Sequence, residues 1–246
     1  MVGPALLLIS SSTVFGSAYL DHCADEIRSL LEERRVRRVL FVPYALHDLE
    51  TYARRARERF AAMGASLDSI SDASDPIAAV AEAETLFVGG GNTFRLLTLL
   101  QRFSLLGPIR RRVAEGMPYI GSSAGSIVAG PSLKTTKDMP IIEPDSFDAL
   151  GLVRFQISPH YLDPDPGSTH MGETQEERIL QFLEENDTPV AALREGAMLR
   201  VENDSVSLKG SAGARIFRRG ELPVEVRPVA SVRDLLAAPG RSGKTS

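Results

Sequence analysis

Through its first three-quarters the chain alternates short, wholly apolar runs with longer stretches in which apolar residues recur every three or four positions. Ala5–Ser10 (ALLLIS), Val39–Ala45 (VLFVPYA), Thr85–Gly89 (TLFVG) and Pro118–Ser122 are continuous enough to be strands buried on both faces. Between them, Asp21–Arg35 carries Ile27, Leu30 and Leu31 on one side and charges elsewhere, which predicts an amphipathic helix. Glu50–Met63 and Asn92–Phe103 follow the same rule. Ser66–Ile70 is a candidate third strand, Asp75 caps a helix with Pro76 in its first turn, and Pro108 opens another short helix. This βαβα rhythm predicts an α/β fold with a mostly parallel sheet sandwiched by helices. Ligands in such sheets sit beyond the carboxyl ends of the strands.

The pattern changes toward the C-terminus. Val190–Leu193, Ala197–Val201, Val206–Leu208, Ala214–Phe217 and Val224–Val229 are short apolar segments separated by Gly, Asn and Asp, as in antiparallel hairpins that extend the sheet. No repeat or linker interrupts the pattern, so residues 1–239 are expected to form one domain, and the small, polar stretch 240–246 a disordered tail.

Composition narrows the function classes. The 246 residues carry 28 Lys and Arg against 32 Asp and Glu, a net charge of −4 that offers no general attraction to nucleic acid. The single cysteine, Cys23, excludes an internal disulfide and a cysteine-rich zinc site. The N-terminal apolar run is short, has no basic lead and ends in serines, and no run is long enough to span a bilayer. A cytoplasmic protein without membrane or nucleic-acid partners is expected, with no metal and no cofactor, acting as a monomer or homodimer.

Three features point to chemistry. Gly121-Ser122-Ser123-Ala124-Gly125 follows an apolar strand and precedes Ile127-Val128-Ala129, the strand–turn–helix setting of a nucleophile elbow. There the sharp turn lifts the central serine, Ser123, above the sheet, the glycines avoid collisions, and the Ala124 N–H faces the oxyanion. A plain Gly/Ser turn is the less specific alternative. Gly89-Gly90-Gly91-Asn92-Thr93 also follows a strand. It lacks the third glycine of a dinucleotide loop, because position 94 is Phe, and it lacks the Gly-Lys-Ser/Thr of a P-loop. Its glycines permit close backbone approach to a substrate and a second oxyanion donor, while Asn92 caps the next helix. Among four histidines, His160 follows the strand-like Phe155–Pro159 and is the favoured base. His170 sits in the Asp/Pro/Gly-rich loop 163–172 and is expected to face substrate. His22 and His47 read as ordinary surface residues. The acid that orients the imidazole is either Asp138 or Glu195, each of which follows a candidate strand or loop end.

Several stretches taken together resemble the peptidase E family of serine peptidases, the alpha-aspartyl dipeptidases, which are relatives of cyanophycinase: VGGGNTFRLL (88–97), YIGSSAGSIVAGPSLKTTKDMPII (119–142), FDALGLVRFQISPHYLD (147–163), HMGETQEERI (170–179) and LREG (193–196). The resemblance implies a fold like that of the class I glutamine amidotransferases, with Ser123 as nucleophile, His160 as base, and Gly91 and Ala124 as oxyanion donors. It matches the family acid to Asp138 or Glu195. Asp138 is preferred because a short carboxylate suits the triad, which leaves the other acid for the substrate amino group. Asn92, His170 and Gln175 would line the substrate.

One residue departs from the family pattern. Where the family has Gly-Glu-Thr-Arg, with an arginine for the substrate's N-terminal aspartate, this chain has Gly172-Glu173-Thr174-Gln175. Glutamine cannot replace that charge. Thr174 and Glu177 also form a helix capping box, and Arg178 is expected to turn inward. The expectation is therefore a serine exopeptidase for short peptides, di- and tripeptides, broader than a strict Asp-X enzyme. The alternatives are a strict alpha-aspartyl dipeptidase, an esterase or amidase, and a catalytically silent small-molecule binding protein. A glutamine amidotransferase would need cysteine at position 123.

Overall fold

The computed structural model describes residues 3–169 and 171–237. Along the chain run β1 (Ala5–Ile9), α1 (Ala24–Glu33), β2 (Arg38–Val42), α2 (Leu49–Ala62), β3 (Ser66–Ser69), α3 (Pro76–Glu82), β4 (Leu86–Val88), α4 (Thr93–Arg102), α5 (Leu106–Ala114), β5 (Tyr119–Ser122) and α6 (Ala124–Ile127). Then come β6 (Gln156–Ser158), α7 (Gln175–Glu185), β7 (Val190–Leu193), β8 (Ala197–Glu202), β9 (Ser205–Gly210), β10 (Ala214–Phe217) and β11 (Val224–Val226).

Seven strands form the main sheet in the order β3-β2-β4-β5-β1-β8-β9. The first five are parallel, and β8 and β9 add antiparallel at the β1 edge. The continuous apolar runs are explained by burial on both sides. In β1, Leu6 and Leu8 enter one core with α3, α4 and α5, while Ala5, Leu7 and Ile9 enter the other with α1 and α2. Val39 and Phe41 oppose Leu40 and Val42 in the same way.

The C-terminal strands do not all extend this sheet, contrary to the sequence expectation. β6, β7, β10 and β11 make a second sheet in the order β11-β10-β7-β6, with β7 parallel to β6. Alternate residues of β7 face different cores: Ala191 and Leu193 join the main core, whereas Val190 and Ala192 pack with Ile179 and Leu183 of α7. Spacing and turn residues predict strands, but they do not say which sheet a strand joins. The chain passes from the second sheet to the main one within three residues, 194–196, turning at Gly196 with φ +85°, and returns to the second sheet between β9 and β10. The tail expected at 240–246 lies outside the described residues.

This layout gathers the carboxyl ends of β1, β4 and β5, three neighbours in the main sheet, beside those of the parallel pair β6 and β7.

Candidate active site

Ser123 stands between β5 and α6 at φ 52°, ψ −110°, a conformation outside the usual regions for a residue with a side chain. The surroundings hold it there. Its N–H donates to the Ile9 carbonyl at 2.9 Å, and the Ser126 hydroxyl donates to the carbonyls of Ile9 and Gly121 at 2.8 and 2.9 Å. The Tyr119 hydroxyl donates to the Gly125 carbonyl at 2.6 Å. The flanking glycines are required by space: a Cβ at Gly125 would lie 2.1 Å from the Val88 carbonyl oxygen, and one at Gly121 2.6 Å from the Gly125 oxygen.

The Ser123 Oγ lies 2.8 Å from His160 Nε2, and His160 Nδ1 lies 3.0 Å from Glu195 Oε1. His160 follows β6 and Glu195 follows β7, so two adjacent parallel strands deliver the imidazole and its carboxylate to one place. His160 itself has φ +53°. Its N–H donates to the Ser10 hydroxyl at 2.9 Å, and that hydroxyl donates to the Leu193 carbonyl at 2.9 Å, joining the end of β1 to the end of β7. On the other side the Lys137 ammonium donates to the carbonyls of Pro159 and His160 and to the Gln175 amide oxygen. Desolvation pushes the Lys137 pKa down to about 8.

Asp138, the acid preferred from sequence, is elsewhere. Its Oδ2 accepts from the Thr93 N–H at 2.7 Å and the Thr93 hydroxyl at 2.6 Å, at the start of α4. A carboxylate at a helix N-terminus meets unpaired N–H groups and the positive end of the helix dipole, and this holds Asp138 in place. The longer glutamate is the one that reaches the imidazole. Asp138 nevertheless lines the same cleft as Ser123 and His160.

That cleft, about 480 Å³, is bounded by Ser12, Tyr19, Leu46, Tyr52, Arg55, Gly90, Gly91, Ser123, Asp138 and His160. Ala124 is the first residue of α6, so its N–H has no acceptor within the helix. Gly91 has φ +135°, and a Cβ on it would lie 2.6 Å from the Ala45 carbonyl oxygen. Only glycine fits that corner of the cleft wall.

Other expected site residues fall differently. Asn92 uses both ends of its amide within the protein, accepting from the Arg95 N–H and donating to the Met139 carbonyl. Gln175 sits at the start of α7 with its amide oxygen held by Lys137 and by the Leu162 N–H. Arg178 pairs with Glu173 at 3.7 Å on the surface instead of turning inward. His170 lies outside the described residues. His47 is exposed, but His22 is half-buried, with both ring nitrogens enclosed, and burial lowers its pKa. Sequence reasoning missed Ser10, Lys137 and the group Tyr19, Tyr52 and Arg55. Ser10 had a signal, because it ends a predicted buried strand in an α/β sheet. Tyr52 and Arg55 are spaced i, i+3 on one helix, but nothing local says that this face meets the site.

Among the described residues no three His, Cys, Asp or Glu side chains are grouped as metal ligands would be, and no helix is long and apolar enough to cross a membrane.

Known proteins give the context for this geometry. The family model for peptidase family S51 matches residues 6–209. A peptidase E from Streptomyces coelicolor is 52% identical over 235 residues, covering 96% of each chain. A probable alpha-aspartyl dipeptidase from Drosophila melanogaster is 44% identical over 232 residues, covering 94% of this chain and 97% of the other. Among solved structures, a peptidase from an acI-B1 actinobacterium superposes with a TM-score of 0.72 at 18% identity over 94% of this chain and 96% of the other. A putative peptidase E from Listeria monocytogenes gives 0.65 at 22% identity over 85% of this chain and 100% of the other. The last two agree in fold, whereas the family model and the two sequence relatives span most of the chain, and on their strength the chain belongs to peptidase family S51 and is a serine peptidase.

Proposed function

We propose that the chain hydrolyses short peptides from the N-terminus through an acyl-enzyme, with Ser123, His160 and Glu195 as the triad. The observation that carries this reading is the unbroken run Ser123 Oγ–His160 Nε2 and His160 Nδ1–Glu195 Oε1, at 2.8 and 3.0 Å, ending on a serine held at φ 52°. Neutral His160 takes the Ser123 proton as Oγ attacks the scissile carbonyl. Glu195 keeps the Nδ1–H tautomer and stabilises the imidazolium that forms. The N–H groups of Ala124 and Gly91 receive the oxyanion. His160 then passes its proton to the leaving amine, and a water deprotonated by the same imidazole releases the acyl group. Asp138, with Oδ2 taken by Thr93, offers Oδ1 to the substrate's α-ammonium. The overall plan is that of a glutamine amidotransferase-like sandwich with serine in place of cysteine, and the enzyme works in the cytoplasm as a monomer or homodimer.

Specificity follows from position 175. Its amide oxygen is tied to Lys137 and Leu162, and what remains is a neutral NH2 group, which offers an aspartate side chain neither a charge nor the guanidinium fork. An unpaired carboxylate entering a partly buried site loses hydration without compensation. The enzyme therefore accepts uncharged N-terminal residues and tripeptides as well as Asp-X. The test is kcat/KM for Asp-Leu, Ala-Leu and a neutral tripeptide. Values for the first two within about a hundredfold support the breadth, and cleavage of Asp-X alone returns the assignment to a strict alpha-aspartyl dipeptidase.

A further inference from the structure

Arg55 stands apart from the other charged groups near the site. It projects from the exposed face of α2, and it is the one lysine or arginine among the described residues that line the cleft. Its guanidinium carbon lies 4.4 Å from the centre of the Tyr19 ring, a cation–π stack that fixes a long side chain without consuming its N–H donors. Among the described residues no carboxylate pairs with it, and its electrostatic neighbours are Tyr19 and Tyr52. The other nearby cations are engaged: Lys137 donates to three protein oxygens, and Arg178 pairs with Glu173.

The two tyrosines make the second observation. Tyr19 is 5% exposed and lines the cleft; its hydroxyl stands near that of Tyr52 but forms no well-aligned hydrogen bond. A buried hydroxyl left unpaired costs free energy that a ligand oxygen can recover. Tyr52, one helical turn before Arg55, packs edge-on against Tyr19 with ring centroids 6.3 Å apart. Its hydroxyl reaches the glycine loop beside the nucleophile, where a Cβ on Gly89 would lie 2.4 Å from it. The arginine and its tyrosine shelf are thus joined directly to the wall that carries Gly90 and Gly91.

We infer that Arg55, with the Tyr19 hydroxyl beneath it, is the subsite for a carboxylate of the peptide substrate. A guanidinium with its donors free and a hydroxyl without a partner together match the two oxygens of a carboxylate. The cleft then presents opposite charges at different walls, Asp138 and Arg55, complementary to a zwitterionic short peptide. The carboxylate is either the substrate's C-terminal one, in which case Arg55 measures peptide length, or the side chain of an acidic N-terminal residue, in which case it supplies a residual acid preference. This inference rests on the peptidase reading of the Ser123 site.

The experiment compares kcat/KM of the full chain and of Arg55→Gln on Ala-Leu, Ala-Leu-amide, Asp-Leu and Asp-Leu-amide. Fluorophosphonate labelling of the unaltered protein independently confirms or refutes a reactive serine. Arg55 stacks on the outside of Tyr19 from an exposed helix face, so the variant is expected to fold, and its circular dichroism and melting curve check this. In the unaltered enzyme the carboxylate-bearing substrate is favoured by about tenfold or more. In Arg55→Gln that ratio falls toward one, chiefly through KM, and Arg55→Lys restores part of it. A collapse of the acid-to-amide ratio assigns the C-terminal carboxylate, and a collapse of the Asp-to-Ala ratio assigns the side chain. If both ratios survive the substitution, or all four substrates lose activity equally, the inference is overturned, while labelling of the serine leaves the peptidase reading intact.

Discussion

The two halves of the proposed triad rest on different kinds of support. Ser123 is held almost wholly by backbone: its N–H on the Ile9 carbonyl, glycines packed against the carbonyls of Gly125 and Val88, and buried Ser126 and Tyr119 hydroxyls closing the turn. His160 and Glu195 are about half exposed. His160 is steered by side chains from other parts of the sequence, namely Ser10, which is 150 residues away, and Lys137, which is 23 away. Support from backbone has no adjustable part, so a change there breaks the fold as well as the chemistry. Support from side chains is graded, so a change there should alter rate and pH response while the fold persists.

Removing the nucleophile has the largest expected effect. Ser123→Ala should lower kcat by about 10⁴–10⁶ while leaving the melting temperature close to that of the parent, because the turn is built from backbone and glycine. Next comes the acid. Glu195→Gln should reduce kcat by about 10²–10⁴, through loss of the tautomer and of imidazolium stabilisation. Asp138→Asn should act mainly on KM, through the substrate ammonium. Steady-state kinetics on one dipeptide separates them, and the reverse order would return the triad role to Asp138.

The backbone half is tested by Gly125→Ala. A methyl 2.1 Å from the Val88 oxygen cannot be accommodated without moving β4 or α6. The variant should lose about 1–3 kcal/mol or more by chemical denaturation, together with its activity. The smallest effect belongs to Lys137. Its pKa is pushed down to about 8, so the ammonium that clamps the His160 carbonyl is present below that pH and is lost as pH rises through it. A modest fall in kcat, about severalfold, is expected above pH 8. Lys137→Arg stays charged throughout and should lose that alkaline limb.

The same contrast explains what could be read from sequence. The elbow was legible because its requirements are local: an apolar strand, a Gly-x-Ser-x-Gly turn and an apolar helix start, all within residues 118–129. The parallel half of the main sheet was legible because burial on both faces leaves continuous apolar runs such as ALLLIS. Which carboxylate lies against His160 was not, because it depends on β7 lying parallel beside β6 in a second sheet, and strand spacing says nothing about partners. Arg55 was invisible for a related reason. It sits among exposed charges on α2, and only the fold brings its helix turn, with Tyr52, against the glycine loop. The resemblance puts Asn92 and Gln175 on the substrate; in the folded chain Asn92 spends both ends of its amide on backbone, and Gln175 spends its amide oxygen on Lys137 and the Leu162 N–H.

The most direct test of the triad is covalent labelling with a fluorophosphonate, followed by mass mapping of the modified peptide. A single adduct on Ser123 is expected, strongly slowed in His160→Ala and Glu195→Gln but not in Asp138→Asn. An adduct on another serine, or none, or slowing by Asp138→Asn alone, would contradict it.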